Sequence, residues 1–179
     1  MQGFSVLSFS FRIRPGTRED IPAISQAYAS SWRSTYQDVA SPAFVKGLTE
    51  SAAAGIFQQS LQPNAFSYFL YVAEVEGQIV GFADGGKERS DPEKGIGELY
   101  AIYLLKEFQN RGIGQELFKA SAGILRQAGL HSLVVWVLEK SPYRKFYEKL
   151  GGRLLPSVRA LDVADEKINL VSYFWDIGK

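Results

Sequence analysis

The stretch Gln109-Asn110-Arg111-Gly112-Ile113-Gly114-Gln115 places amides, a guanidinium and paired glycines at the start of a segment with helical periodicity. Glycine inside a helix costs roughly 1 kcal/mol against alanine, so its repetition at one end needs a reason. Anion binding is one such reason. The first turn of a helix carries N–H groups without intrahelical partners and the positive end of the helix dipole. No acid occurs between Glu107 and Glu116, whereas the helix opening near Thr17 fills its first turn with Glu19 and Asp20. Glycines, lacking Cβ, would let phosphate oxygens approach the backbone. A turn that needs glycine only to bend or to pack closely would leave the same pattern, so the motif alone reaches no further than an anion site. It is not a P-loop, because the lysine and hydroxyl of G-x-x-x-x-G-K-[ST] are missing. It is not a dinucleotide fingerprint either, because the G-x-G-x-x-G spacing fails. The chain has no cysteine and a single histidine, His131, which excludes disulfides, thiolate chemistry and a histidine metal cluster.

These residues need elements to position them. The run "FSFRIRP" (9 to 15) alternates and stops at a proline, as a strand does, and Thr17 with Asp20 resembles a capping box opening a helix that places Ile21, Ile24 and Tyr28 on one face. Ser41 before Pro42 opens a second short helix, and 49 to 61 reads as a third with Ile56, Phe57 and Leu61 inward. "SYFLYVAEV" and "QIVGFADGG" form a hairpin about Glu76-Gly77. "GELYAIYLL" (97 to 105) is a buried strand. The helix of the opening motif follows, roughly 111 to 128, and ends at Gly129. "HSLVVWVL" is another buried strand, "SPYRKFYEKLGG" a short helix with Ser141 as its cap, and "RLLPSVRAL" and "KINLVSYFWDI" are closing antiparallel strands. The order describes an α/β (α+β) chain with a mixed sheet and helices packed on it. The βαβ unit in its middle makes the strands at 97–105 and 132–138 parallel.

Size and composition fit a single domain, 1–179, with 46% apolar and 22% charged residues. A net charge of +1 gives no basic face and hence no expected nucleic-acid partner. No run approaches about 18 apolar residues and the N-terminus has no secretory pattern, so no membrane span and a cytoplasmic location are expected.

"QNRGIG" matches Q/R-x-x-G-x-G/A and resembles the pyrophosphate loop of the GNAT family of N-acetyltransferases. The resemblance covers most of the chain. "ELYAIYLLKEFQNRGIGQELFKAS" is similar to the family's central strand, turn and helix. "VVWVLEKSPYRKFYEKLGG" is similar to its next strand and helix, commonly N-x-x-A-x-x-F-Y-E-K-x-G. "FRIRPGTREDIPAISQAYASSWRSTYQ" is similar to the opening of many small bacterial members. The resemblance implies a mostly antiparallel sheet with a splayed parallel pair and helices on both faces. It implies acetyl-CoA as co-substrate and no metal. The pyrophosphate would lie on the amides of residues 110 to 115, with Gln109, Asn110, Arg111, Gly112, Ile113, Gly114 and Gln115 around it, and pantetheine along Ile102, Tyr103 and Leu104. Splayed strands offer unpaired N–H and C=O groups to such a pseudo-strand.

The implied reaction is direct acetyl transfer to a primary amine of a small molecule or peptide. Tyr147 stands at the position of the family's tyrosine acid, and a phenol can donate to a developing thiolate. Glu98 stands where histone-modifying members have a general base. Strand alternation would put Tyr100 and Ile102 on its face, with Glu98 and Tyr100 holding a water. The alternative roles are packing for Tyr147 and an exposed strand end for Glu98. Ser141 and Tyr143 depart from the family's asparagine and alanine; Ser141 can cap a helix or contact CoA with shorter reach. Trp32 and Tyr36, one helical turn apart, border the acceptor region or the core. His131 reads as a turn residue. Asp162, Asp165 and Glu166 could attract a cationic amine but read more simply as a solvated loop. A catalytically weak acyl-CoA sensor or interaction module is the alternative function, and exposed strand edges could support a homodimer.

Overall fold

The computed structural model describes residues 9–62, 67–91, 94–163 and 166–178. Among these, β1 (Arg12–Pro15), β2 (Ser67–Val75), β3 (Gln78–Lys87), β4 (Gly97–Leu104), β5 (Ser132–Leu138), β6 (Arg153–Val163) and β7 (Glu166–Asp176) form one sheet. Its order is β1-β2-β3-β4-β5-β7-β6. Every neighbouring pair is antiparallel except β4–β5. The β2–β3 turn is the expected one, with Glu76 and Gly77 at φ 50° and 79°, which matches the twist of the strands it joins.

Local chemistry sets the helix starts. A 3-10 turn at Arg18–Asp20 leads into α1 (Ile21–Tyr36). Asp20 accepts from the Thr17 backbone N–H at 2.8 Å and from the Arg14 guanidinium at 2.6 and 2.8 Å. Ser41 Oγ accepts from Phe44 N at 3.3 Å to open α2 (Pro42–Gly47), and Thr49 Oγ1 accepts from Ala52 N at 3.1 Å to open α3 (Glu50–Ser60). α4 (Ile113–Gln127) packs on β2, β3 and β4, and Gly129 follows it at φ 81°. α5 (Arg144–Lys149) starts later than Ser141 and Pro142 suggested.

The sheet is covered on both faces. Leu99, Leu117, Leu125, Leu133, Val135 and Tyr173 form the larger core, to which α4 and α5 contribute. Ile24, Phe57, Val72 and Phe82 form the other, with α1 and α3. The expected first strand forms only from Arg12, and Phe9 is exposed. Ile56, expected inward, is 44% exposed while Phe57 is 1%. The buried stripe of α3 is narrow, carried by Ala53 and Phe57 one turn apart, and Ile56 falls beside it.

Two departures from a regular sheet open its middle. β4 and β5 pair only over Gly97–Leu99 and Leu133–Val135. Beyond that point β4 stays with β3 as far as Leu104 while β5 stays with β7 as far as Leu138, so the parallel pair splays. In addition, Asp84 opposes Ala101 and Gly85 opposes Leu99, leaving Tyr100 as the extra residue of a β-bulge at the point of parting.

Candidate active site

The splay opens a cleft of about 500 Å³ between β4 and β5, floored by Leu99 and Val135 and closed at one end by α4 and α5. Gln109, Asn110, Gly112, Gly114 and Gln115 line it, as do Ile102, Tyr103, Leu104, Tyr36, Tyr100, Ser141 and Tyr147. The fold therefore gathers most of the expected residues, drawn from separate elements, into one wall.

The glycine-rich end has the geometry of an anion site. Gln109 Nε2 donates to Leu104 O at 3.1 Å, tying the loop to the end of β4. Asn110 and Gly112 both adopt positive φ, 60° and 84°, which turns the chain sharply into α4. No side chain caps α4, and its first backbone bond runs from Glu116 N to Gly112 O. The N–H groups of Ile113, Gly114 and Gln115 thus have no intrahelical acceptor. Gly114 has a second reason to be glycine: a Cβ there would lie 3.2 Å from the Phe146 ring. Close packing and an open helix end coexist at this turn.

Expected neighbours diverge here. The Ile113 side chain is fully buried, so only its backbone is available to a ligand. Arg111 does not line the cleft; its guanidinium lies 4.7 Å from the Phe9 ring centroid and 5.8 Å from that of Phe108.

Tyr147 stacks on Tyr173 at 5.8 Å between centroids with 24° between planes, and sits edge-on to Phe146 and Trp175. Tyr173 is itself held, accepting from Arg144 Nε at 3.0 Å and donating to Glu148 Oε1 at 2.8 Å. Among the described residues no hydrogen bond holds the Tyr147 hydroxyl. Burial pushes this phenol well above its ordinary pKa, so it stays protonated and available as a donor. Tyr36 and Tyr103 are likewise kept neutral by burial, and their hydroxyls meet at 3.1 Å.

Glu98 departs from the expectation. It is fully buried but does not line the cleft. Its carboxylate accepts from Arg89 Nη2 at 2.6 Å and from the Arg89 backbone N–H at 2.9 Å. The bulge at Tyr100 breaks the alternation, so Glu98, Tyr100 and Ile102 do not continue along one face. The Tyr100 hydroxyl donates to Lys87 O at 2.6 Å, and its ring lies 4.4 Å beneath the Arg89 guanidinium.

Trp32 also departs. It stacks on Phe44 at 4.8 Å and 27°, donates to Phe44 O at 3.4 Å, and is absent from the cleft wall. Ser141 Oγ accepts from Tyr143 N at 3.2 Å, a local turn bond rather than a cap on α5 itself. His131 is exposed at its turn. Glu166 accepts from Ser41 N at 3.2 Å, Asp162 is exposed, and Asp165 lies outside the described residues.

A model of the Acetyltransferase (GNAT) family matches residues 22–152. The chain belongs to the GNAT acetyltransferase family. It is 34% identical over 136 residues to YuaI, an uncharacterised N-acetyltransferase of Bacillus subtilis strain 168, covering 76% of each chain. An N-acetyltransferase structure from Staphylococcus aureus Mu50 matches with a TM-score of 0.73 at 20% identity, over 94% of this chain and 99% of that one. YncA of Salmonella typhimurium, solved with acetyl-CoA, matches with a TM-score of 0.69 at 18% identity, over 93% and 94%. These likenesses establish the GNAT fold, a mixed sheet with one parallel pair.

Sequence reasoning passed over Thr35, Trp136, Phe146 and Lys149, all of which line the cleft. The available signal was Trp136, an aromatic with a polar N–H in the otherwise aliphatic strand "SLVVWVL". No helix among the described residues is long and apolar enough to cross a membrane.

Proposed function

We propose that this acetyltransferase takes its acetyl group from acetyl-CoA and passes it directly to a primary amine of a small molecule or peptide. The single observation that carries this reading is the uncapped start of α4 opening into the cleft where β4 and β5 part. Family membership and the acetyl-CoA held by the Salmonella relative support it. When bound, acetyl-CoA supplies an activated thioester. The N–H groups of Ile113, Gly114 and Gln115, with Gln109 and Asn110 beside them, would hold its pyrophosphate at the positive end of the helix. The edges of Ile102, Tyr103 and Leu104, left without β5, would bond the pantetheine amides, with Ser141 opposite.

The Tyr147 Oη is the proton donor for the leaving sulfur: it is neutral, has no competing partner among the described residues, and is fixed by its stack on Tyr173. Tyr36, Tyr103 and Tyr100 form the aromatic part of the wall against which the amine would lie. In this reading Glu98 is the partner that fixes Arg89 over Tyr100 rather than the base, and Trp32 supports Tyr36 by packing at 4.7 Å.

The test is thermal unfolding with acetyl-CoA, followed by thiol release with a panel of amines. Saturation at about 100 times Kd stabilises by about 2.7 kcal/mol, a rise of about 5–10 °C for a chain of this size. Binding without turnover on any amine would favour a sensor, and no shift at saturating acetyl-CoA would remove the reading altogether.

A further inference from the structure

The two halves of the sheet, β1–β4 and β5–β7–β6, meet along only three residues of each strand, Gly97–Leu99 and Leu133–Val135. Among the described residues one ion pair crosses that seam, joining Arg159 on the outermost strand β6 to Glu88 directly after β3. The cation reaches it by passing over β5. Arg159 sits opposite Leu170 of β7, which sits opposite Leu138 of β5, and its guanidinium lies 3.8 Å from the Trp136 ring centroid. From there Nη2 donates to Glu88 Oε1 at 2.7 Å and to Ser90 Oγ at 2.6 Å.

The segment that receives Arg159 also grips the other arm. Glu88 accepts from Ser90 Oγ at 2.7 Å and from Asp91 N at 2.8 Å, and its own N–H donates to Ile96 O at 2.8 Å just before β4. Beside it, Arg89 bonds Glu98 and covers the Tyr100 ring at 4.4 Å. Four residues, Glu88 to Asp91, therefore hold Tyr100 on β4 and, through Arg159, Trp136 on β5. The two rings occupy matching places. Each belongs to the first residue beyond the last paired one, Leu99 on β4 and Val135 on β5, and both residues line the cleft.

Glu88 and Glu98 are both buried. A buried carboxylate is costly to desolvate, and its ion pair returns little net stability. The Arg159 side chain is 36% exposed, which screens the pair further. What such a bridge supplies is geometry. We propose that Arg159 is a positioning residue for acetyl transfer: its bridge to Glu88 sets how far β4 and β5 part, and with it the spacing of Tyr100 and Trp136 at the apex of the cleft. This rests on the acetyl-transfer reading above. The glycine-rich end is tied separately, by Gln109 Nε2 on Leu104 O, so the bridge governs reaction geometry rather than coenzyme affinity.

The chain has no cysteine, so nitroxide labels on Lys106→Cys and Lys140→Cys report the distance between the ends of β4 and β5 by pulsed electron paramagnetic resonance. Both lysines are exposed and lie just beyond those strands. One narrow distance is expected with Arg159 and Glu88 in place, and a broader or longer one in Arg159→Gln and in Glu88→Gln. Arg159→Lys, which keeps a cation within reach of Glu88, should restore it. In kinetics with acetyl-CoA and the fastest amine of the panel, either glutamine variant should lose about tenfold to a hundredfold in kcat, the scale of a misplacement of about 1 Å. The acetyl-CoA Kd should stay unchanged. The double variant should be no worse than either single one, since both remove the same bridge. Arg159 lies on the edge strand, so Arg159→Gln carries the test if Glu88→Gln does not fold; the acetyl-CoA-dependent rise in melting temperature is the control for folding. An unchanged distance distribution in Arg159→Gln would overturn the proposal. So would an altered distribution with kcat intact, or losses that multiply in the double variant. Absence of turnover on every amine would count against the transfer reading alone, and the label distances would still decide whether the bridge sets the splay.

Discussion

Removing the Tyr147 hydroxyl takes away a donor without a structural partner among the described residues, so Tyr147→Phe should keep the fold. A positioned general acid contributes about 10²–10⁴-fold, and we expect kcat to fall within that range with acetyl-CoA affinity little changed. Steady-state kinetics beside a binding titration would check this; unchanged kcat would remove Tyr147 from the acid role. Glu98 calls for the opposite pattern. Its carboxylate is buried, while the Arg89 side chain is 56% exposed, so solvent screens the pair and discounts its worth. Glu98→Gln should cost about 1–3 kcal/mol, chiefly through a weakened buried hydrogen-bond set, as read by urea unfolding. Any loss of kcat should stay well below that of Tyr147→Phe. Sequence could single out Tyr147 as a candidate because its motif is local to a short helix. It could not foresee the burial of Glu98 away from the cleft, because the partner that claims its carboxylate comes from the loop after β3.

At the scale of elements, the start of α4 combines a backbone requirement with the binding role proposed for it. Gly112 sits at φ 84°, and a Cβ there would meet nothing within 4 Å, so its conformation rather than space demands glycine. Gly112→Ala should destabilise the fold by about 1–2 kcal/mol, the cost of left-handed backbone for an L-residue. It should also weaken acetyl-CoA binding by reorienting the free N–H groups, measurable as a raised Kd beside a lowered Tm. Most element positions could be read from periodicity and punctuation: the Glu76-Gly77 hairpin, the Ser41 cap and the Gly129 stop each act within a few residues. The bulge at Tyr100 could not, because it arises from how β3 and β4 pair and leaves no mark in either strand alone.

For the whole molecule, charge pairs tie distant elements together and give the fold a defined response to acid. The Arg14 guanidinium beside Asp20 holds that carboxyl at about 2 despite partial burial. Burial works to raise Glu88, but Ser90, Arg159 and the Asp91 N–H outweigh it and hold the carboxyl at about 2. Both folded values lie below the ordinary unfolded ones near 4, so the stability these groups add is present above about pH 4 and disappears as pH falls toward about 2. The urea midpoint of the protein should therefore drop through that window. The difference between the protein and Asp20→Asn should be largest at neutral pH and shrink as pH falls through about 2. The sequence by itself determined the glycine-rich helix start, the strand–helix–strand unit around it and the tyrosine after it, because those signals are carried by neighbours along the chain. Only the tertiary structure decided which side chains face the cleft. Strand side chains alternate with a period of two, so one extra residue at Tyr100 puts Glu98 and Ile102 out of step, and a contact from the loop after β3 then claims the Glu98 carboxylate.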